Sequence, residues 1–160
     1  MGRRRIVQTV TLSKAFGVYG GAILCSRQVR DRIIARSRLF AGNTPLPLPL
    51  ANAAIVALQI LKQNKQLRAC LARNAAFVKE ALRRAGFALP DNPGPIIPVH
   101  PKSRSESESL KRRLLAAGIL PPFIQYPGAP KDGYFRFVIS SEHSRSQLEA
   151  LVKVLAAGRS

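Results

Sequence analysis

Thr11-Leu12-Ser13-Lys14-Ala15-Phe16-Gly17-Val18-Tyr19-Gly20-Gly21, or TLSKAFGVYGG, is the stretch on which the reading of this chain turns. A single lysine stands among small residues, with a hydroxyl three positions before it and glycines at 17, 20 and 21. Glycine takes positive φ without steric cost and lets backbone pass close to a ligand. Ser13 and Ala15 are small enough for backbone to crowd the Lys14 stem. The apolar residues around it predict an amine that loses solvation and is available as a nucleophile. Such an amine forms Schiff bases with carbonyl compounds, the aldehyde of pyridoxal phosphate among them. Thr11 would offer its hydroxyl to an anionic phosphate beside that aldehyde.

Working outward, Arg5 to Thr11 reads as a short strand rich in β-branched residues, and Gly20 to Cys25 as a second. Gln28 to Arg38 is a short, very basic helix or turn. In FAGNTPLPLPLAN (40–52), Pro45, Pro47 and Pro49 predict a rigid extended loop rather than helix or central strand. From Leu50 to Ala85 the pattern is helical, with Leu67, Leu71, Ala75, Val78, Leu82 and Ala85 at spacings of three and four. Thirty-six residues is long for a globular helix, so a break near Gln63–Asn64 is expected, and Gly86 should cap the end. Ile96 to Val99 is a short strand, and Ser105 to Ala117 is a helix stopped at Gly118. Tyr134 to Ser140 (YFRFVIS) is the clearest strand. It puts Phe135, Phe137 and Ile139 on one face and Tyr134, Arg136 and Val138 on the other. Ser144-Arg145-Ser146-Gln147 is a capping box that opens a helix to about Leu155. The second half therefore alternates strand and helix, an α/β or α+β layering. Residues 90 to 157 should be its more stable part, because the strands before Thr44 read as a half-sheet with unpaired edges.

Composition narrows the function. The chain has 160 residues and is 46% hydrophobic, a globular composition with enough length for a core. No apolar run spans a bilayer. MGRRRIVQTV has no apolar signal segment, and Ile6 stands where a myristoylation motif needs Ser or Thr. Cys25 and Cys70 read as buried free thiols in a reducing cytoplasm. Twenty-six basic against 8 acidic residues give a net charge of +18, which invites a nucleic-acid reading. The distribution argues against it. Basic residues are scattered, and the short runs Arg3–Arg5 and Lys111–Arg113 have no aromatics interleaved for stacking, with no Trp anywhere.

TLSKAFGVYG resembles, at every defined position, the segment around the cofactor lysine of class II pyridoxal-phosphate aminotransferases, and within them most resembles the α-oxoamine synthases. Arg36-Ser37-Arg38 with Phe40 to Thr44 is similar to a second family segment, and residues 134 to 155 to the C-terminal strand, Ser-x-x-His turn and last helix. The resemblance covers nearly the whole chain. It implies an α/β fold of the fold-type-I transferase class, incomplete here. Residues 1–49 would be a remnant of the large cofactor domain, 50–85 a long connecting helix region, and 86–160 the small C-terminal α/β domain. Lys14 would hold the aldehyde of pyridoxal 5'-phosphate and later move a proton. Thr11 would bind the phosphate, and Thr44 the phosphate of the neighbouring subunit in a homodimer. Arg136 would bind the substrate carboxylate, for which a planar guanidinium fork is suited; an ion pair with a local Asp or Glu is the structural alternative. His143 reads as a structural turn residue, and no motif surrounds His100.

The resemblance further implies an Asp for the pyridine nitrogen and a His over the ring, both before the lysine. The 13 residues before Lys14 contain no Asp, Glu or His. Asp31, Asp91 and Asp132 lie in segments similar to other parts of the family. The expectation is therefore the C-terminal part of such an enzyme, with compensating acidic residues in the segments that precede it in the family. The implied activity is condensation of an amino acid with an acyl-CoA with loss of CO2. Amino-group transfer, or a non-enzymatic basic module, are the alternatives.

Overall fold

The computed structural model describes residues 6–39, 41–127 and 133–158. The Arg3–Arg5 run, Phe40 and Asp132 lie outside them. The chain forms two compact units that divide between Asn64 and Lys65. The division falls at the predicted helix break, and each unit is described by itself.

In the first unit, β1 (Gln8–Thr11) and β2 (Gly21–Leu24) pair antiparallel, with Thr11 opposite Gly21 and Gln8 opposite Leu24. The two expected strands are thus a single hairpin, each shorter than the sequence pattern suggests. Gly21 is required by the pairing, since a Cβ there would sit 3.1 Å from the Val10 carbonyl oxygen. Helix α1 (Arg27–Arg36) follows, capped by Ser26, whose Oγ accepts the Val29 N–H at 3.3 Å. Helix α2 (Leu48–Gln63) starts earlier than expected. Pro49 lies in its first turn, where the missing N–H would have had no partner, so only Pro45 and Pro47 stay outside the helix. Val18 is the one apolar residue buried in this unit among those described, while Leu48, Ile55, Val56 and Ile60 of α2 are exposed.

The second unit holds the core. Helix α3 (Lys65–Arg84) begins directly after Asn64 and ends at Gly86, whose φ is +81°. There Phe87 N–H reaches back to the Leu82 carbonyl at 3.0 Å and Gly86 N–H to Arg83 at 2.9 Å, a Schellman closure. Strands β3 (Ile96–Val99), β4 (Phe123–Ile124) and β5 (Tyr134–Val138) form an antiparallel sheet in the order β3-β5-β4. Pro98 is tolerated because β3 lies at the edge of this sheet. The two-residue β4 is not among the expected strands, being too short to show a period.

Helix α4 (Arg104–Ala116) is capped by Ser103, one residue before the first helical one and ahead of the predicted start, and closed by Gly118 at φ +70°. Helix α5 (Arg145–Ala156) opens on the complete Ser144–Gln147 capping box. The inward face of β5, Phe135 and Phe137, and Ile139 just beyond it pack with Val78 and Leu82 of α3, Leu110 and Leu114 of α4, and Leu148, Leu151 and Leu155 of α5. Helix α3 thus belongs to this core, which extends the stable part back from residue 90. Arg145 sits over the Phe77 ring, 3.3 Å from its centroid, and ties α5 to α3.

Two buried polar groups give tests. The Ser107 hydroxyl is buried on the core face of α4 with no hydrogen-bond partner. Ser107→Ala removes an unsatisfied group and is expected to raise stability by about 1 kcal/mol, read as a higher denaturant midpoint. Lys79, also buried, donates from Nζ to the Asn92 carbonyl and to Asn92 Oδ1 at 3.1 Å, pinning the loop after α3. Burial holds its pKa below 10.5, with Arg83 acting in the same direction and Asp91 opposing. The unfolded chain therefore binds this proton more tightly than the folded one. Stability should rise as the pH climbs from the lowered folded value toward 10.5. In paired urea unfolding series, Lys79→Met should lose that part of the rise.

Candidate functional site

Lys14 lies on the loop of the β1–β2 hairpin. Leu12 N–H donates to the Gly20 carbonyl at 2.9 Å and Val18 N–H to the Leu12 carbonyl at 3.0 Å, which continues the ladder past the strand ends. Within that frame Gly17 N–H donates to the Lys14 carbonyl at 3.1 Å, so residues 14–17 make a tight turn with Gly17 at φ +61°. Val18 turns inward and anchors the loop from below. Lys14 is exposed on this turn. The burial that its apolar sequence neighbours predict is therefore not seen.

Thr11, the last residue of β1, is exposed and has its side chain in the same loop. Its Oγ1 lies 2.9 Å from Ser13 Oγ and accepts the Ser13 N–H at 3.3 Å. Two hydroxyls and a primary amine therefore sit within four residues, and no Asp or Glu occurs between residue 6 and Asp31. Gly20, at φ +121°, packs against Leu46, whose Cδ1 would lie 3.3 Å from a Cβ at that position. The 41–47 segment thus passes against the lysine hairpin. Thr44, two residues before Leu46, is exposed on it.

Arg136 occupies the middle of β5, the central strand of the second unit, opposite Pro98 of β3. Its backbone N–H donates to the Pro122 carbonyl at 2.9 Å. The side chain is half-buried, and it has no ion pair among the described residues. The local Asp or Glu partner of the structural alternative is thus absent among them, and the guanidinium keeps its capacity for a bidentate anion.

His143 Nδ1 accepts the Ser140 N–H at 3.1 Å and closes the turn between β5 and α5. Asn74 of α3 braces that turn, donating from Nδ2 to the Ser140 and His143 carbonyls at 3.0 and 3.2 Å. His100 stacks on Tyr134 with centroids 5.2 Å apart. Cys25 and Cys70 are free but only partly buried, not buried as expected. Cys70 Sγ donates to the Ser141 carbonyl at 3.3 Å, which keeps it at the rim of the same turn. The tie between Ser13 and Thr11 goes beyond the sequence expectation. Its signal is the pair of hydroxyl residues two positions apart, the spacing of a local side-chain-to-backbone turn.

Residues 1–155 match the model of the aminotransferase class I and II family, and the chain belongs to it. Among curated relatives, it is 34% identical over 98% of its length to the 8-amino-7-oxononanoate synthase of Trichlorobacter lovleyi, and 33% identical over 91% to that of Exiguobacterium sibiricum. These alignments cover 41% and 38% of the relatives, so the chain spans about two fifths of the proteins it resembles.

Solved structures share the fold. The 8-amino-7-oxononanoate synthase of Francisella tularensis superposes with a TM-score of 0.81 at 22% identity, over 95% of this chain and 45% of that one. Sphingomonas wittichii serine palmitoyltransferase gives 0.81 at 23% identity, over 94% and 38%. An SPT structure with PLP gives 0.81 at 21%, over 94% and 38%. The architecture is that of the corresponding part of these enzymes.

Proposed function

We propose that this chain is the part of a pyridoxal-phosphate-dependent α-oxoamine synthase that carries the cofactor lysine and the small C-terminal domain. The whole enzyme would condense an amino acid with an acyl-CoA and release CO2. The observation that carries this reading is the exposed Lys14 on its glycine-bounded turn beside the Thr11 hydroxyl. The alignment with 8-amino-7-oxononanoate synthases over 98% of the chain supports it.

The residues present fit the aldehyde and phosphate ends of pyridoxal phosphate. The amine is accessible, the hydroxyls can donate, and a Cβ added at Gly17 would meet no atom within 4 Å, so the turn is open. When bound, that cofactor supplies an electron sink for negative charge at the substrate α-carbon. Lys14 Nζ would hold the aldehyde end and would serve as the base that moves the proton at the substrate α-carbon. Thr11 would donate to the phosphate. Arg136 would bind the substrate carboxylate, for which its planar guanidinium fork is suited. Thr44 would reach the phosphate of the neighbouring subunit in a homodimer. Two free thiols suit a reducing compartment, and the cytoplasm is the proposed location.

The test is release of CO2 from a carboxyl-labelled amino acid by the whole enzyme that contains this chain, with pyridoxal phosphate. The reading expects release to require an acyl-CoA. Transfer of the amino group to an oxoacid without an acyl-CoA would assign aminotransfer instead.

A further inference from the structure

Thr11 has a part in binding the phosphate and Ser13 has none so far, although Ser13 is the residue that holds Thr11. Both of its polar groups meet Thr11 Oγ1, the backbone N–H at 3.3 Å and the hydroxyl at 2.9 Å. Neither hydroxyl has any other hydrogen-bond partner among the described residues. A threonine oxygen has two acceptor sites and one proton. When Ser13 fills both acceptor sites, with its N–H and its O–H, the Thr11 proton is the group left over. That proton is then free to donate to a group other than Ser13, and Thr11 is exposed on the loop that carries Lys14.

From this we propose that Ser13 is a positioning residue that sets the donor direction of Thr11 toward the phosphate of the cofactor. The role rests on the pyridoxal-phosphate reading of the site and deepens it. An anion arriving at Thr11 selects the orientation in which Ser13 O–H donates to Thr11 and Thr11 O–H donates to the anion. Each hydrogen bond in such a chain polarises the next. No carboxylate between residue 6 and Asp31 competes for either proton. Ser13 need not touch the phosphate itself. Its effect is confined to ligands that carry one, which separates this role from a general stiffening of the loop.

The experiment compares pyridoxal 5'-phosphate with pyridoxal, which has the aldehyde but no phosphate, on the full chain. For each aldehyde, the concentration dependence of borohydride-trapped label on the Lys14 peptide gives an apparent affinity. Their ratio is the phosphate preference. Ser13→Ala is expected to lower that ratio about three- to tenfold through pyridoxal phosphate alone. Ser13→Thr, which restores the hydroxyl, should stay close to wild type. Circular dichroism of both variants checks the fold. A ratio unchanged in Ser13→Ala, or an equal loss for both aldehydes, overturns the positioning role while leaving Lys14 as the cofactor lysine. A wild-type chain with no phosphate preference at Lys14 overturns the phosphate reading and the Ser13 role together, and it is seen before any substitution is made.

Discussion

Lys14→Ala is expected to abolish selective capture of pyridoxal phosphate while leaving the fold and any polyanion binding as they were. The argument is chemical. Only a primary amine forms the covalent link, and alanine removes it without touching the frame of the loop. That frame is the bonds from Leu12 to Gly20, Val18 to Leu12 and Gly17 to Lys14, all backbone to backbone. The residue is exposed, so no core packing is lost. The label on the peptide spanning Leu12 to Tyr19 should fall to background, far more than the several-fold change expected at Ser13. The same variant separates the two classes of function. A basic module with charge +18 would bind duplex DNA with a steep salt dependence that ignores one lysine among 26 basic residues. Salt-steep DNA binding equal in both proteins, with no cofactor label in either, would favour the module.

Phe135→Ala is the substitution expected to cost the most stability. Phe135 is fully buried on β5, packed edge-on to Phe123 at 5.2 Å between centroids and stacked with Phe137 at 6.3 Å. It pairs with Val99 on one side and Phe123 on the other, so its loss opens a cavity in the middle of the sheet. Such truncations cost about 3–5 kcal/mol, a large fraction of the roughly 5–15 kcal/mol that holds an ordinary domain together. Urea unfolding of the second unit should shift accordingly. Val138→Ala, three residues along and 55% exposed, is the control and should change little. A small effect at Phe135 would mean that β5 is not the centre of this core.

Both predictions draw on features that are legible in the chain. The alternation in YFRFVIS places Phe135, Phe137 and Ile139 inside because a strand has a period of two and one face is continuous apolar. Gly86, Gly118 and the Ser144–Gln147 box mark helix ends because their chemistry is local. The break at Asn64 follows from length alone. Other features depend on tertiary context. Pro49 reads as a helix breaker and is a first-turn residue, a distinction of one or two positions that composition does not resolve. The short β4 exists only because Phe123 packs on Phe135 and pairs beside it. The desolvation expected at Lys14 rests on apolar neighbours in sequence. Burial depends instead on what packs over a side chain, and the loop leaves this one open. At the site, the lysine and Thr11 are legible through spacing and resemblance. The Ser13 link needs the folded turn.

The central claim is that the hairpin loop singles out one lysine for the cofactor. The direct measurement is to add pyridoxal phosphate to the purified chain, reduce with borohydride and map adducts by peptide mass spectrometry. The account predicts a dominant adduct at Lys14, above the exposed lysines at 62, 65, 102 and 153. Adducts spread over those surface lysines, with Lys14 no more labelled than the rest, would contradict it.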